Sequence, residues 1–297
     1  MNEAILIKQA LRALEGRLPP GWTQRLVTSR SKGPDGLDGT IEVTSPDGAK
    51  ARLGVEAKDR LFPRDVRSLK NRLMQAAPGP SIVVAPFLPA STRRSLLEEN
   101  VNYLDTTGNV RLVLERPGVY LEAHGADVNP FPADEPTRSL RGPKAGRIVR
   151  ALCDFSTPLS ISDLAAKAGV DVSYASRMVA WLAREALLTR ATRGPVQAVQ
   201  QAAMIRRWAE NYEVLKNNDA RSFVDPRGLE HFAKRLREKP LKYAVTGSMA
   251  AARMAPIAPP RLAMVYVEDP ESAAAALNLR AVEIGRASCR ERVYVLV

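Results

Sequence analysis

Cysteine and histidine are nearly missing from this chain of 297 residues, which has two of each and places the cysteines at 153 and 289. Two cysteines so far apart give neither a disulfide framework nor zinc-ligand spacing, and two histidines add little to any metal centre. Long apolar runs are missing too, since none approaches the roughly 18 residues of a membrane span. Met1 to Lys8 becomes charged too early for a signal peptide. No membrane partner and a cytoplasmic location are therefore expected. What the chain has is positive charge: 44 Lys+Arg against 32 Asp+Glu, a net +12 and a pI near 10.0. That balance favours nucleic acid as partner, although an acidic membrane surface would also answer it. With 45% apolar residues, the length leaves room for two or three domains with cores of their own.

The most informative stretch runs from Leu159 to Leu182, where two short amphipathic patterns meet at a glycine. In the first, Leu164, Ala165 and Ala168 fall on one side, and either Ser160 or Ser162 can cap the helix start. Gly169 supplies the left-handed turn that residues with a Cβ resist. In the second, Ala175, Met178, Val179, Leu182 and Ala186 recur at helical spacing as a core stripe. Ser173, Tyr174, Ser176 and Arg177 are left on the opposite face near the N-terminal end, the end that enters the major groove in helix-turn-helix proteins. Upstream, Ala145 to Phe155 reads as a supporting helix with Ile148, Val149 and Leu152 buried.

Leu187 to Val199 then reads as two short strands around Arg193-Gly194-Pro195, a wing with arginine at its tip. Arginine suits both phosphates and the minor groove, so Arg147, Arg190 and Arg193 are expected to hold the DNA backbone. From 138 to 193, ten Lys+Arg less four Asp+Glu gives +6, half of the whole-chain +12 in about one fifth of its length. The segment Leu159 to Arg190 resembles the winged-helix DNA-binding regions of bacterial transcriptional regulators of the IclR and MarR type. It departs from them at Ala186, where those families usually end the recognition helix with glycine. A winged helix that serves only to dock another protein is the alternative.

Residues 1 to 125 alternate helical and strand patterns. Ala4 to Leu14 is a helix with Ile5, Ala10, Leu11 and Leu14 on one side. Trp22 to Ser29, Gly39 to Val43 and Ala51 to Ala57 are three strands between Gly/Asp/Pro turns. A helix begins at Pro63, Ser81 to Ala85 is a buried strand, and Ser91 to Asn100 is a helix. Val101 to Leu114 closes the segment as strand, glycine turn and strand. This order resembles the PD-(D/E)xK nuclease-like core, with Asp38 opening the second strand and Glu56-Ala57-Lys58 closing the third. The resemblance implies Asp38 and Glu56 as metal ligands and Lys58 as the cation that steadies nucleophile or phosphate. Alternation puts Glu56 and Lys58 on one face. Magnesium is expected only if that site is active; otherwise no cofactor is, and the alternative is a core that keeps the fold and pairs these residues as a salt bridge.

Residues 126–143 read as a linker, because 125–143 holds four of the 22 prolines and no periodicity. The C-terminal part, 201–283, reads as α/β: a helix from Ala203 to Leu215, a short helix within Asp225 to Leu236, a strand, glycine turn and helix from Lys242 to Met254, and a strand from Pro260 to Val267. Trp208 and Tyr212 share a face with Ile205 and Leu215 and are expected in a core. Asn102 to Asn109 and Tyr243 to Ala252, taken with the domain order, resemble actinobacterial transcriptional regulators related to the abortive-infection type IV antitoxins. That resemblance implies a DNA-binding repressor acting on its own operon, with a cognate toxin or a second copy as further partner. Glu283 to Val293 resembles the translation of a sequencing-adapter oligonucleotide, so 284–297 is expected to be an artefact that packs poorly, and the C-terminal domain to be truncated.

The sequence thus points to a multidomain α/β protein: a nuclease-like N-terminal domain, a central winged helix-turn-helix over 144–200, and an α/β C-terminal domain. Double-stranded DNA is the expected partner and transcriptional regulation the expected function. The rivals are a metal-dependent nuclease targeted by the winged helix and a protein-interaction module.

Overall fold

A computed structural model describes residues 3–28, 36–76, 79–131, 140–192, 194–213, 218–282 and 292–296. The chain is mixed α/β and divides into two compact units, Met1–Trp208 and Ala209–Val297. The first unit takes in both the α/β part and the helices expected over 144–200.

Its α/β part is a seven-stranded sheet whose strands lie side by side in sequence order: β1 (Thr23–Thr28), β2 (Gly39–Thr44), β3 (Lys50–Ala57), β4 (Ser81–Ala85), β5 (Asn102–Asp105), β6 (Val110–Leu114) and β7 (Val119–Ala123). The β3–β4 and β4–β5 pairs are parallel and the rest antiparallel. Parallel neighbours need a crossover, supplied by α2 (Pro63–Ala76) and α3 (Ala90–Glu98). Period-two alternation divides the apolar side chains between two cores. Ile82 and Val84 join Leu53, Val55 and Leu104 beneath α1 (Glu3–Glu15). Val83 and Ala85 face Val66, Leu69 and Leu73 of α2 and Leu96 of α3. With both faces covered, the continuous apolar run of β4 is the expected pattern of an inner strand. One expectation needs correction here, and one strand is new. Ile5 is 52% exposed, and Leu6 and Ile7 take its place in the core. The edge strand β7 was not anticipated at all.

The turn from β5 to β6 is organised by one buried carboxylate. Asp105 accepts from the Leu88, Thr107 and Asn109 amides, from the Thr107 hydroxyl at 2.7 Å and from Asn109 Nδ2 at 2.8 Å. Asn109 in turn accepts from the Gly125 amide and donates to the Ala126 carbonyl, which fastens the chain just beyond β7. Residue 125 must be glycine for this closure, since a Cβ there would lie 2.3 Å from the Thr107 oxygen. Asn102 to Asn109, which carried part of the antitoxin resemblance, is thus a folding element of the sheet.

Three helices follow: α4 (Pro143–Asp154), α5 (Ile161–Ala168) and α6 (Val172–Arg184). Their expected stripes meet in one core, with Ile148, Val149 and Leu152 against Leu164, Ala165 and Ala168 and against Ala175, Met178, Val179 and Leu182. Ser160, one of the two caps weighed, accepts from the Asp163 amide and donates to its carboxylate. Gly169 adopts the left-handed conformation, φ 59° and ψ 48°. A hairpin of β8 (Leu188–Arg190) and β9 (Val196–Val199) completes the group, with Leu159 bridged to Val196 beside it. Ala186 departs from its expected place in the core stripe. It is exposed at φ 58°, with its amide on the Ala183 carbonyl and the Leu187 amide on the Leu182 carbonyl. This double closure usually carries glycine at the position Ala186 holds.

The expected helix from Ala203 to Leu215 is α7 (Gln201–Ala209). Met204 and Trp208 pack into the helical core while Ile205 is exposed; Leu215 lies outside the described residues. Tyr212 belongs to the second unit, where its hydroxyl sits 2.8 Å from that of Tyr266. Burial and that contact push the Tyr266 phenol up to about 12.

The second unit is a five-stranded sheet in the order β11 (Tyr243–Thr246), β12 (Leu262–Val267), β14 (Arg292–Leu296), β10 (Ala220–Val224), β13 (Arg280–Ala281). Helices α8 (Leu229–Glu238), α9 (Gly247–Met254) and α10 (Pro270–Ala276) accompany it. At the end of the chain the expectation of poor packing over 284–297 fails for the part that is described. Residues 292–296 form the central strand, parallel to β12 and antiparallel to β10, with Val293 and Val295 in the core beside Phe223 and Val265. Residues 284–291 lie outside the described residues.

Candidate nucleic-acid interface

The α5–α6 pair is set by local chemistry. Capping by Ser160 starts α5, Gly169 turns the chain, and α6 begins three residues later at Val172. Asp171, the N-cap of α6, makes no side-chain capping bond to the first-turn amides. Ser173 and Arg177 are exposed one turn apart on the first half of α6; Ser176 is half-buried beside them. Tyr174 is also half-buried, but packs against the helical core. Its ring therefore contributes to the fold as well as to this face.

Arg147 does something the sequence did not announce. From α4 its Nε donates to the Ala168 carbonyl at 2.8 Å and its Nη2 to the Gly169 carbonyl at 3.1 Å. The guanidinium closes carbonyls at the end of α5, where positive charge suits the helix dipole. Arg147 is thus a brace of the turn. Arg190 is half-buried at the end of β8. Arg193, expected at the tip of the hairpin, lies outside the described residues.

The α/β part brings the other expected group together. Asp38 directly precedes β2, and its carboxylate accepts from the Ala57 amide at 2.8 Å, next to Glu56 and Lys58 on the neighbouring strand. Glu56 is buried, and one of its oxygens meets Lys58 Nζ at 2.6 Å and also the Arg72 guanidinium from α2. Lys58 and Glu56 thus share a face, as alternation requires. Two carboxylates here stand against a lysine and an arginine, so the four side chains carry no net charge, and one Glu56 oxygen is engaged by both cations. Arg72, fourteen residues beyond Lys58, was not foreseen because only folding carries α2 back over the end of β3.

A second feature was equally hidden. The β3–α2 connection brings Phe62 and Arg64 to α6, where Arg184 lies over the Phe62 ring at 5.5 Å from its centroid and Arg64 at 6.0 Å. A cleft of about 770 Å3 opens there, lined among others by Arg64, Ser176, Ala180, Arg184 and Arg190. Arg64 and Arg184 are 120 residues apart, and no local pattern links them. No family model, curated protein or solved structure matches this chain.

Proposed function

We propose that this protein is a DNA-binding regulator of transcription, a repressor or antitoxin-like autoregulator, in which α4–α6 and the β8–β9 hairpin act as a winged helix-turn-helix. The observation that carries the reading is the exposure of Ser173 and Arg177 at the start of α6, just beyond the left-handed Gly169 and beside the hairpin. In such a module the N-terminal end of the second helix meets base edges and the wing meets phosphate or minor groove. Ser173, Ser176 and Arg177 are the base-facing residues, with Tyr174 shared between face and core; Arg190 and Arg193 hold the backbone. Double-stranded DNA is the partner, and the surplus of +6 over 138–193 supports it.

The test is selection of bound duplexes from a random pool by the full chain. The wild type enriches a motif, and Arg177→Ala loses preference at one position of it, for a cost of about 1–3 kcal/mol. Enrichment of no motif by the wild type overturns sequence-specific regulation.

A metal-dependent nuclease is the second reading, favoured by the adjacency of Asp38, Glu56 and Lys58 at the ends of neighbouring strands. The neutral charge of the cluster weighs against it and supports a nuclease-like core retained as scaffold. Magnesium-dependent nicking of plasmid, lost in both Asp38→Asn and Lys58→Ala, would reverse that ranking.

A further inference from the structure

Two guanidiniums from distant parts of the first unit share one aromatic ring. Arg64 stands in the first turn of α2 and Arg184 in the last turn of α6, at 6.0 Å and 5.5 Å from the Phe62 centroid. The ring face attracts each cation, yet the cations repel one another. The Asp65 carboxylate meets Arg64 at 3.3 Å with both groups about half exposed, a weak and salt-screened pair. Arg190 joins them in the same cleft from β8. Three arginines around one open cleft make a seat for an anion, and the planar guanidinium fork matches phosphate oxygens in particular.

The position of the cleft says which anion. Ser176 lines it and also belongs to the face of α6 expected to meet bases, so the two surfaces are continuous. From Ser176 to Arg184 the helix rises about 12 Å at 1.5 Å per residue. One DNA strand presents roughly three phosphates over that axial distance, at about 3.4 Å each. Ala180 and Ala183 form the intervening wall, and their short side chains leave room for a sugar-phosphate chain.

We propose that this cleft holds the phosphate backbone of duplex DNA, so that the α/β domain, through Arg64, forms part of the DNA interface. The inference rests on the DNA-binding reading of α6 and adds a residue that lies outside the helical module. In it Phe62 positions Arg64 and Arg184, and Arg64, Arg184 and Arg190 contact the DNA backbone.

The experiment uses the full chain and a fluorescein-labelled duplex of arbitrary sequence, because phosphate contacts do not depend on sequence. Affinity is measured across salt for the wild type and for Arg64→Ala, Arg64→Lys, Arg64→Glu and Arg177→Ala, with thermal unfolding as the folding control. Arg64→Ala is expected to weaken binding about 3- to 10-fold near 50 mM salt and to reduce the log–log salt slope by about 0.9, the value for one phosphate. Arg64→Lys should recover most of the slope, and Arg64→Glu should be weaker than Arg64→Ala. Unchanged affinity and slope in Arg64→Ala, with Arg177→Ala still weakened, overturns the cleft and leaves the reading of α6 standing. Tighter binding by Arg64→Ala also overturns it, because the α/β domain would then be covering α6. A wild-type chain that binds no duplex overturns both the reading and the cleft.

Discussion

Asp105 and Asn109 are joined carboxylate to amide at 2.8 Å, and both side chains are completely buried. Around them the Leu88, Thr107 and Asn109 amides also point at the Asp105 oxygens. A buried network is costly to break because each orphaned donor keeps its desolvation penalty. Asp105→Ala is expected to destabilise the first unit by about 3–5 kcal/mol, and Asp105→Asn by less, since its amide oxygen can still accept. Urea unfolding followed by the midpoint measures both; equal midpoints for wild type and Asp105→Ala would contradict the account.

Ala186 holds a left-handed conformation at the end of α6 that an L-residue with a Cβ adopts at a cost. Ala186→Gly removes the strain, partly offset by the greater freedom of glycine in the unfolded chain. A gain of about 1 kcal/mol is expected, the lower end of the left-handed penalty for L-residues. It should appear as a rise in melting temperature with DNA affinity unchanged. A loss of stability would mean that the Ala186 methyl makes packing contacts worth more than the strain.

Glu42 is buried among three cations. The Arg25 guanidinium, 2.8 Å away, does most to hold its carboxyl below the ordinary range; Arg52 and Lys50 add to this, and burial opposes them. A lowered folded-state value means that the stabilisation is fully present above the unfolded carboxyl value of about 4.3 and is lost as pH falls through the folded value. The urea midpoint should therefore drop on acidification below about pH 4.3, and Glu42→Gln should reduce that drop while lowering the midpoint at neutral pH. An identical acid profile in Glu42→Gln would contradict the assignment.

Glu56 offers a parallel test at the end of β3. Glu56→Ala leaves Lys58 and Arg72 facing each other without their carboxylate. Because Arg72 is half exposed, the expected cost is about 1–3 kcal/mol, below that of breaking a fully buried pair. Magnesium at about 10 mM should leave the wild-type melting temperature unchanged, since a ligand that binds the folded state raises it by mass action. A magnesium-dependent rise abolished by Asp38→Asn would restore the metal-site reading.

Much of the helical module was legible because its signals are local. Ser160, Gly169 and the stripes at three- and four-residue spacing act within a few residues of one another. The adjacency of Asp38 to the Glu56 strand could also be anticipated, since strand order constrains which ends meet. The bracing role of Arg147 was not legible for a physical reason: an arginine beside a helix end satisfies carbonyls as readily as phosphates, and sequence does not say which lies closer. Strand β7 escaped notice because Val119 to Ala123 is short and only half-buried at the sheet edge. The last strand was missed because its likeness to an adapter translation outweighed the Val-Tyr-Val alternation that buries it. Nothing local joins Phe62 and Arg64 to Arg184.

The most direct test of DNA binding through the central module is the salt dependence of full-length protein on duplex DNA. Between about 50 and 200 mM salt, log affinity should fall linearly with log salt with a slope of several units. Arg190→Ala and Arg193→Ala should each make the slope shallower by about 0.9 and weaken binding to every sequence alike. Absence of duplex binding near 50 mM, where counterion release helps most, or a slope unchanged in both variants, would contradict the account.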